Sequence, residues 1–106
     1  MKIEYGKAVE RFTEFMEGNV AKVPDLGKRF LMYATLGALK ANPEAASARV
    51  RPSLEMAGIL DGDGMVDVEV AAAALSNAFA NIPSVTFAGF TFTKEDAADL
   101  LGRMRP

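Results

Sequence analysis

From Val70 to Thr93 the chain carries no charged residue, a run of 24 positions, and the spacing of its apolar residues changes once within it, at Pro83. Before Pro83, Val68, Ala71, Ala72, Leu75, Phe79 and Ile82 recur at helical intervals. After it, residues 84–93 alternate strictly. A membrane-spanning helix would have to be continuously apolar, whereas Ser76, Asn77, Asn81, Pro83, Ser84, Thr86 and Gly89 interrupt this stretch, so a bilayer span is rejected. The spacing predicts a helix from Val68 to about Asn81 and then a β-hairpin. A two-residue turn at Ala88-Gly89 sets Phe87 opposite Phe90 and Val85 opposite Phe92, so these four share one face. Thr86 and Thr91 then pair on the other face.

The preceding segments read mainly as helix. Ala8, Val9, Phe12, Phe15 and Met16 form one stripe of a helix from about Tyr5 to Glu17, with Gly18-Asn19 as its stop. A second helix is expected from Pro24 to near Ala41, with Leu26, Phe30, Tyr33 or Ala34, Gly37 and Ala41 inward and Leu31, Met32 and Leu39 widening that face. Nothing between Phe30 and Leu39 is charged, which predicts a central position. Gly27 and Gly37 suit the close approach of another backbone, with small-residue packing as the simpler use. Asn42-Pro43 caps and starts the next segment, which either kinks at Pro52 or divides into two helices at Arg51. Met65-Val66 is expected to be extended, with Asp67 capping the helix that follows. Thr93 and Asp96 form a capping box for a last helix, lined inside by Ala97, Leu100, Leu101 and Met104. The fold class expected is α+β and mainly helical: four or five helices in one domain of 106 residues, a late hairpin at 84–93 packed on them, and room for a third short strand near 65–66.

What is missing from the composition excludes more chemistry than the motifs suggest. The chain has neither Cys nor His. Disulfides, thiolate catalysis, zinc ribbons, Ser-His-Asp triads and histidine metal sites are therefore out of reach. Disulfide-free chemistry and a Met1–Lys7 stretch of mixed charge, without the apolar run of a secretory signal, lead to the expectation of a cytoplasmic protein. No cofactor is implied.

Asp61-Gly62-Asp63-Gly64-Met65-Val66-Asp67 looks like the middle of an EF-hand calcium loop, which implies a divalent-cation site at Asp61, Asp63 and Asp67. Ile59 stands where the first ligand belongs and Val70 where the closing bidentate Glu belongs, with Glu69 one residue out of register. Calcium needs six to eight oxygens, so the alternative of a polar turn leading to an Asp-capped helix is favoured. Nucleic acid is not expected as a partner. The basic residues split nine against seven acids in residues 1–60 and three against seven in 61–106, and the 68–81 helix has no basic residue. The acids at 61–69 and at Glu95, Asp96 and Asp99 lack a nucleophile–base pair beside them, so no enzyme and no catalytic residue is expected.

The hairpin's edges remain. Neither strand carries Lys, Arg or Asp, the usual guards of an exposed edge. The reading that follows is a non-catalytic interaction or assembly module, of the short, Ala-rich kind expected from bacteria or their mobile elements. Its partner is expected to be protein, as a homo-oligomer formed through the hairpin edge at Thr86 and Thr91, with no membrane involved.

Overall fold

The computed structural model describes residues 1–87 and 90–105, with Phe87 described by its backbone. The expected Ala88-Gly89 turn lies outside the described residues. The architecture is mainly helical α+β: β1 (Lys2–Glu4), α1 (Tyr5–Asn19), a 3-10 turn (Val20–Lys22), α2 (Leu26–Ala41), α3 (Pro43–Ser47), α4 (Arg51–Met56), β2 (Met65–Asp67), α5 (Val68–Phe79), β3 (Ser84–Phe87), β4 (Phe90–Thr93) and α6 (Lys94–Met104).

The hairpin has the expected register, with Ser84 opposite Thr93, Val85 opposite Phe92, Thr86 opposite Thr91 and Phe87 opposite Phe90. Its apolar face docks on α1 through an aromatic cluster. The Phe15 ring, fully buried, meets Phe90 at 5.9 Å and Phe92 at 5.4 Å between centroids, both edge-on. Phe79 at the end of α5 stacks on Phe92 at 6.4 Å. Edge-to-face geometry brings the positive ring edge to the negative face of its neighbour, which adds to the gain from burial. The far end of the apolar face is less covered: Val85 remains 41 % exposed.

The short extended piece at 65–66 is a strand, but its partner is not the hairpin. It pairs antiparallel with β1, an N-terminal strand with no counterpart in the sequence reading, with Ile3 opposite Val66. Val66 and Leu60 bridge on its other side. Loop 61–64 closes this unit: Gly64 takes φ +76°, a conformation that a side chain disfavours, and its carbonyl accepts from the Tyr5 N–H at 3.0 Å.

Four helix boundaries or faces differ from expectation. Helix α1 runs on through Gly18 and ends at Asn19, past the expected Glu17, with the Asn19 side chain donating to the Phe15 carbonyl at 2.7 Å in the last turn. Helix α2 starts at Leu26, not Pro24: the Asp25 carboxylate accepts the Lys28 N–H at 2.9 Å and acts as the N-cap, leaving Pro24 outside. Its inward face is Met32, Leu36 and Leu39; Met32 and Leu39 were expected to widen that face, whereas Leu31 and the stripe Leu26, Phe30, Tyr33, Ala34, Gly37 and Ala41 lie at the surface. At Pro52 the chain divides instead of kinking. Pro52 sits in the first turn of α4, where its missing N–H breaks no helical bond, and α3 has already ended at Ser47. Helix α5 stops at Phe79, and Ile82 beyond it is 43 % exposed instead of completing the inner stripe. The capping box of α6 is as expected, with Asp96 N–H donating to Thr93 Oγ1 at 3.3 Å and Thr93 N–H to Asp96 Oδ2 at 2.9 Å.

Candidate functional site

The acidic loop spends its oxygens on its own backbone. Asp61 Oδ1 accepts from the Asp63 N–H at 2.9 Å and the Met65 N–H at 3.0 Å, while Oδ2 accepts from the Lys2 ammonium at 2.9 Å. Asp67 Oδ1 accepts from the N–H groups of Glu69 and Val70 at 3.0 and 3.2 Å, capping α5. Asp63 is exposed. Among the described residues no group of three or more acidic side chains stands close enough together to hold a metal ion. Asp67→Ala is expected to cost about 1 kcal/mol through the lost cap, read from urea denaturation. Millimolar calcium is expected to leave the parent's melting temperature unchanged.

The Lys2 contact ties the first strand to this loop. The hydrogen bond from Lys2 holds the Asp61 carboxyl below its ordinary pKa, helped by the Met65 N–H, and the same contact raises Lys2. A lowered carboxyl contributes in full above its ordinary pKa and is lost as the pH falls through the lowered value. The raised ammonium contributes below its ordinary pKa and is lost only as the pH climbs through the raised one. Both groups face solvent, so the effect is small. A slight stability gap between the parent and Lys2→Met at pH 7 is expected to close in strong acid.

The other acids considered for catalysis also have structural roles. Asp96 belongs to the capping box, Asp99 pairs with Arg103 at 3.5 Å, and Glu69 lies 3.4 Å from Arg105. Glu95 occupies the exposed first turn of α6. These acids are distributed around helix starts and do not converge.

Thr86 and Thr91 lie side by side on the exposed face of the hairpin, as their register requires. The hairpin forms a sheet of its own, and among the described residues neither outer edge has a strand neighbour. Lys22, Val23, Asp25 and Lys28 line a shallow hollow beside Thr91.

Two apolar features stand out more strongly. The first is the outer face of α2, where Leu26 is 62 %, Phe30 65 %, Leu31 52 % and Tyr33 52 % exposed. Ala34, Gly37 and Ala41 continue the exposed stripe, and a Cβ built on Gly37 meets nothing within 4 Å. Single exposed apolar residues are ordinary, but a contiguous stripe along a whole helix is an apolar surface that the protein's own core does not use. The signal was present in the sequence: α2 is apolar on more than one side, and only one side can face its own core.

The second is a cavity of about 520 Å³ lined by residues of α1, α2, α3, α4, α5 and α6 and partly open to solvent. Among the described residues no charged one lines it. The sequence offers one hint of it in Ala71–Ala74, whose side chains leave space where larger ones would fill it.

Among the described residues no helix is long and apolar enough to cross a membrane. Comparison of the chain with protein-family models, with curated proteins and with solved structures gives no match.

Proposed function

We propose that this chain is a non-catalytic interaction module that assembles with a second copy of itself, chiefly through the outer face of α2. The observation that carries this reading is the exposed stripe Leu26, Phe30, Tyr33, Ala34, Gly37 and Ala41. The stripe is self-complementary. If two copies of α2 lie antiparallel about a two-fold axis at the helix midpoint, between Tyr33 and Ala34, Leu26 faces Ala41, Phe30 faces Gly37 and Tyr33 faces Ala34. Each large side chain meets a small one, and the open space at Gly37 receives the Phe30 ring. An isologous contact of this kind closes at two copies, and the helix dipoles oppose each other favourably.

The area suits a weak dimer. With more than half of Phe30 and of Tyr33 exposed, the two rings bring on the order of 200 Å² per copy. With Leu26, Leu31 and the helix shank added, the pair approaches the low end of specific interfaces, about 1,200 Å² in total. Light scattering is expected to give a mass rising with concentration from 11.3 kDa towards twice that value. Because the chain has no cysteine of its own, Ala34→Cys introduces a single thiol beside the proposed axis, and mild oxidation is expected to link two chains. A mass that stays at one chain to high concentration defeats the reading.

The hairpin edge is the second surface that supports assembly, through its unprotected strands and exposed Thr86 and Thr91. Thr86→Lys or Thr91→Lys lowers the association if the edge pairs and leaves it intact if α2 alone holds the copies together.

A further inference from the structure

We infer that the cavity lined by these helices is a binding site for the hydrocarbon part of an amphiphile, a single acyl or alkyl chain whose polar end stays in solvent. This inference is independent of self-association, because the stripe on α2 faces away from the cavity. A volume of about 520 Å³ lies within the range of small-molecule sites.

The lining decides the chemistry. Its three hydroxyls are already used: Tyr5 donates to the Ser47 carbonyl at 3.1 Å, Ser47 to the Pro43 carbonyl at 2.6 Å, and Thr35 to the Leu31 carbonyl at 2.9 Å. A hydroxyl has one proton to donate, so none is left to hold a carbonyl or phosphate inside. With no charged residue among the described ones in the lining, a buried charge would go unpaired. Water fares no better, since an ordered water needs two to four polar partners. Hydrocarbon alone loses nothing by entering. A partner helix is the less fitting occupant: at about 10 Å across, it fills this volume in little more than one turn.

The test uses the neutral fluorophore N-phenyl-1-naphthylamine and dodecanoic acid on the intact chain. The parent is expected to bind the fluorophore saturably, one per chain, with release on adding dodecanoic acid. Ala74→Phe projects a ring into the cavity and is expected to weaken binding at least tenfold while the melting temperature holds or rises. Ala38→Leu, also in the lining, serves if Ala74→Phe fails to fold, and is expected to weaken binding in the same direction. The inference is overturned if the parent does not bind, if a folded variant binds as well as the parent, or if one fluorophore binds per two chains. It is also overturned if filling the cavity changes the mass in solution but leaves fluorophore binding intact, which would mean a protein segment occupies it.

Discussion

Phe30→Asp is expected to yield a folded protein that stays at the mass of one chain at concentrations where the parent associates. Phe30 is 65 % exposed and contributes little to its own core, so the substitution should change stability by no more than about 0.5 kcal/mol. Its effect on association is much larger. A central aromatic seated in a complementary gap typically contributes about 2 kcal/mol or more to an interface, which corresponds to roughly a thirtyfold weaker dimer. The like charges brought together near the axis add to that loss. Sedimentation equilibrium with urea denaturation on the same sample separates the two quantities. Met32→Ala, two residues along the same helix, is expected to behave in the opposite way: Met32 is fully buried, and its truncation should lower stability by about 2–5 kcal/mol. If Phe30→Asp associates as strongly as the parent, α2 is not the contact.

Phe15→Ala is expected to be among the most destabilising single changes in the chain, at about 3–5 kcal/mol. Phe15 has no exposed surface, and its ring meets both Phe90 and Phe92. Removing it leaves a void and takes from the hairpin the surface it rests on. A two-stranded ribbon without a covered face is barely stable alone, so the loss should not be spread evenly. Amide exchange in β3 and β4 is expected to accelerate well beyond that in α1, and the urea midpoint should fall by a third or more of its parent value. Uniform loss of protection across the molecule would show that the hairpin and helices unfold as one unit.

These two predictions also mark where the sequence can be read and where it cannot. The hairpin was legible because a period of two leaves only one face for Val85, Phe90 and Phe92, and Pro83 announces the change of period. The caps at Asn42, Asp67 and Thr93 were legible because each is a local bond between a side chain and an N–H two or three residues on. Helix α2 was not. From Phe30 to Leu39 it is apolar on several sides, and centring the face on its largest residues favours Phe30 and Tyr33, leaves Met32 and Leu39 at the margin and omits Leu36. Which side turns inward depends on α1 and α3, not on α2's own pattern. Strand β1 was invisible for a related reason: three residues carry too little periodicity, and their partner lies more than sixty positions away. The cavity left only the hint of small residues at Ala71 and Ala74, because it is a property of how neighbouring helices fail to meet.

The pairing of Lys2–Glu4 with Met65–Asp67, closed by Val68 N–H donating to the Met1 carbonyl at 3.0 Å, has a bearing on how the chain is made. Lys2–Glu4 must wait until more than sixty further residues have been made before they find their place. Contacts between such distant positions form late and slow the search. Until then α1 emerges with its Phe15 side bare, since the hairpin that covers it comes later still. A nascent chain of this design spends its synthesis with greasy surface in the open, and a helper that shields it during translation should raise the yield of folded protein.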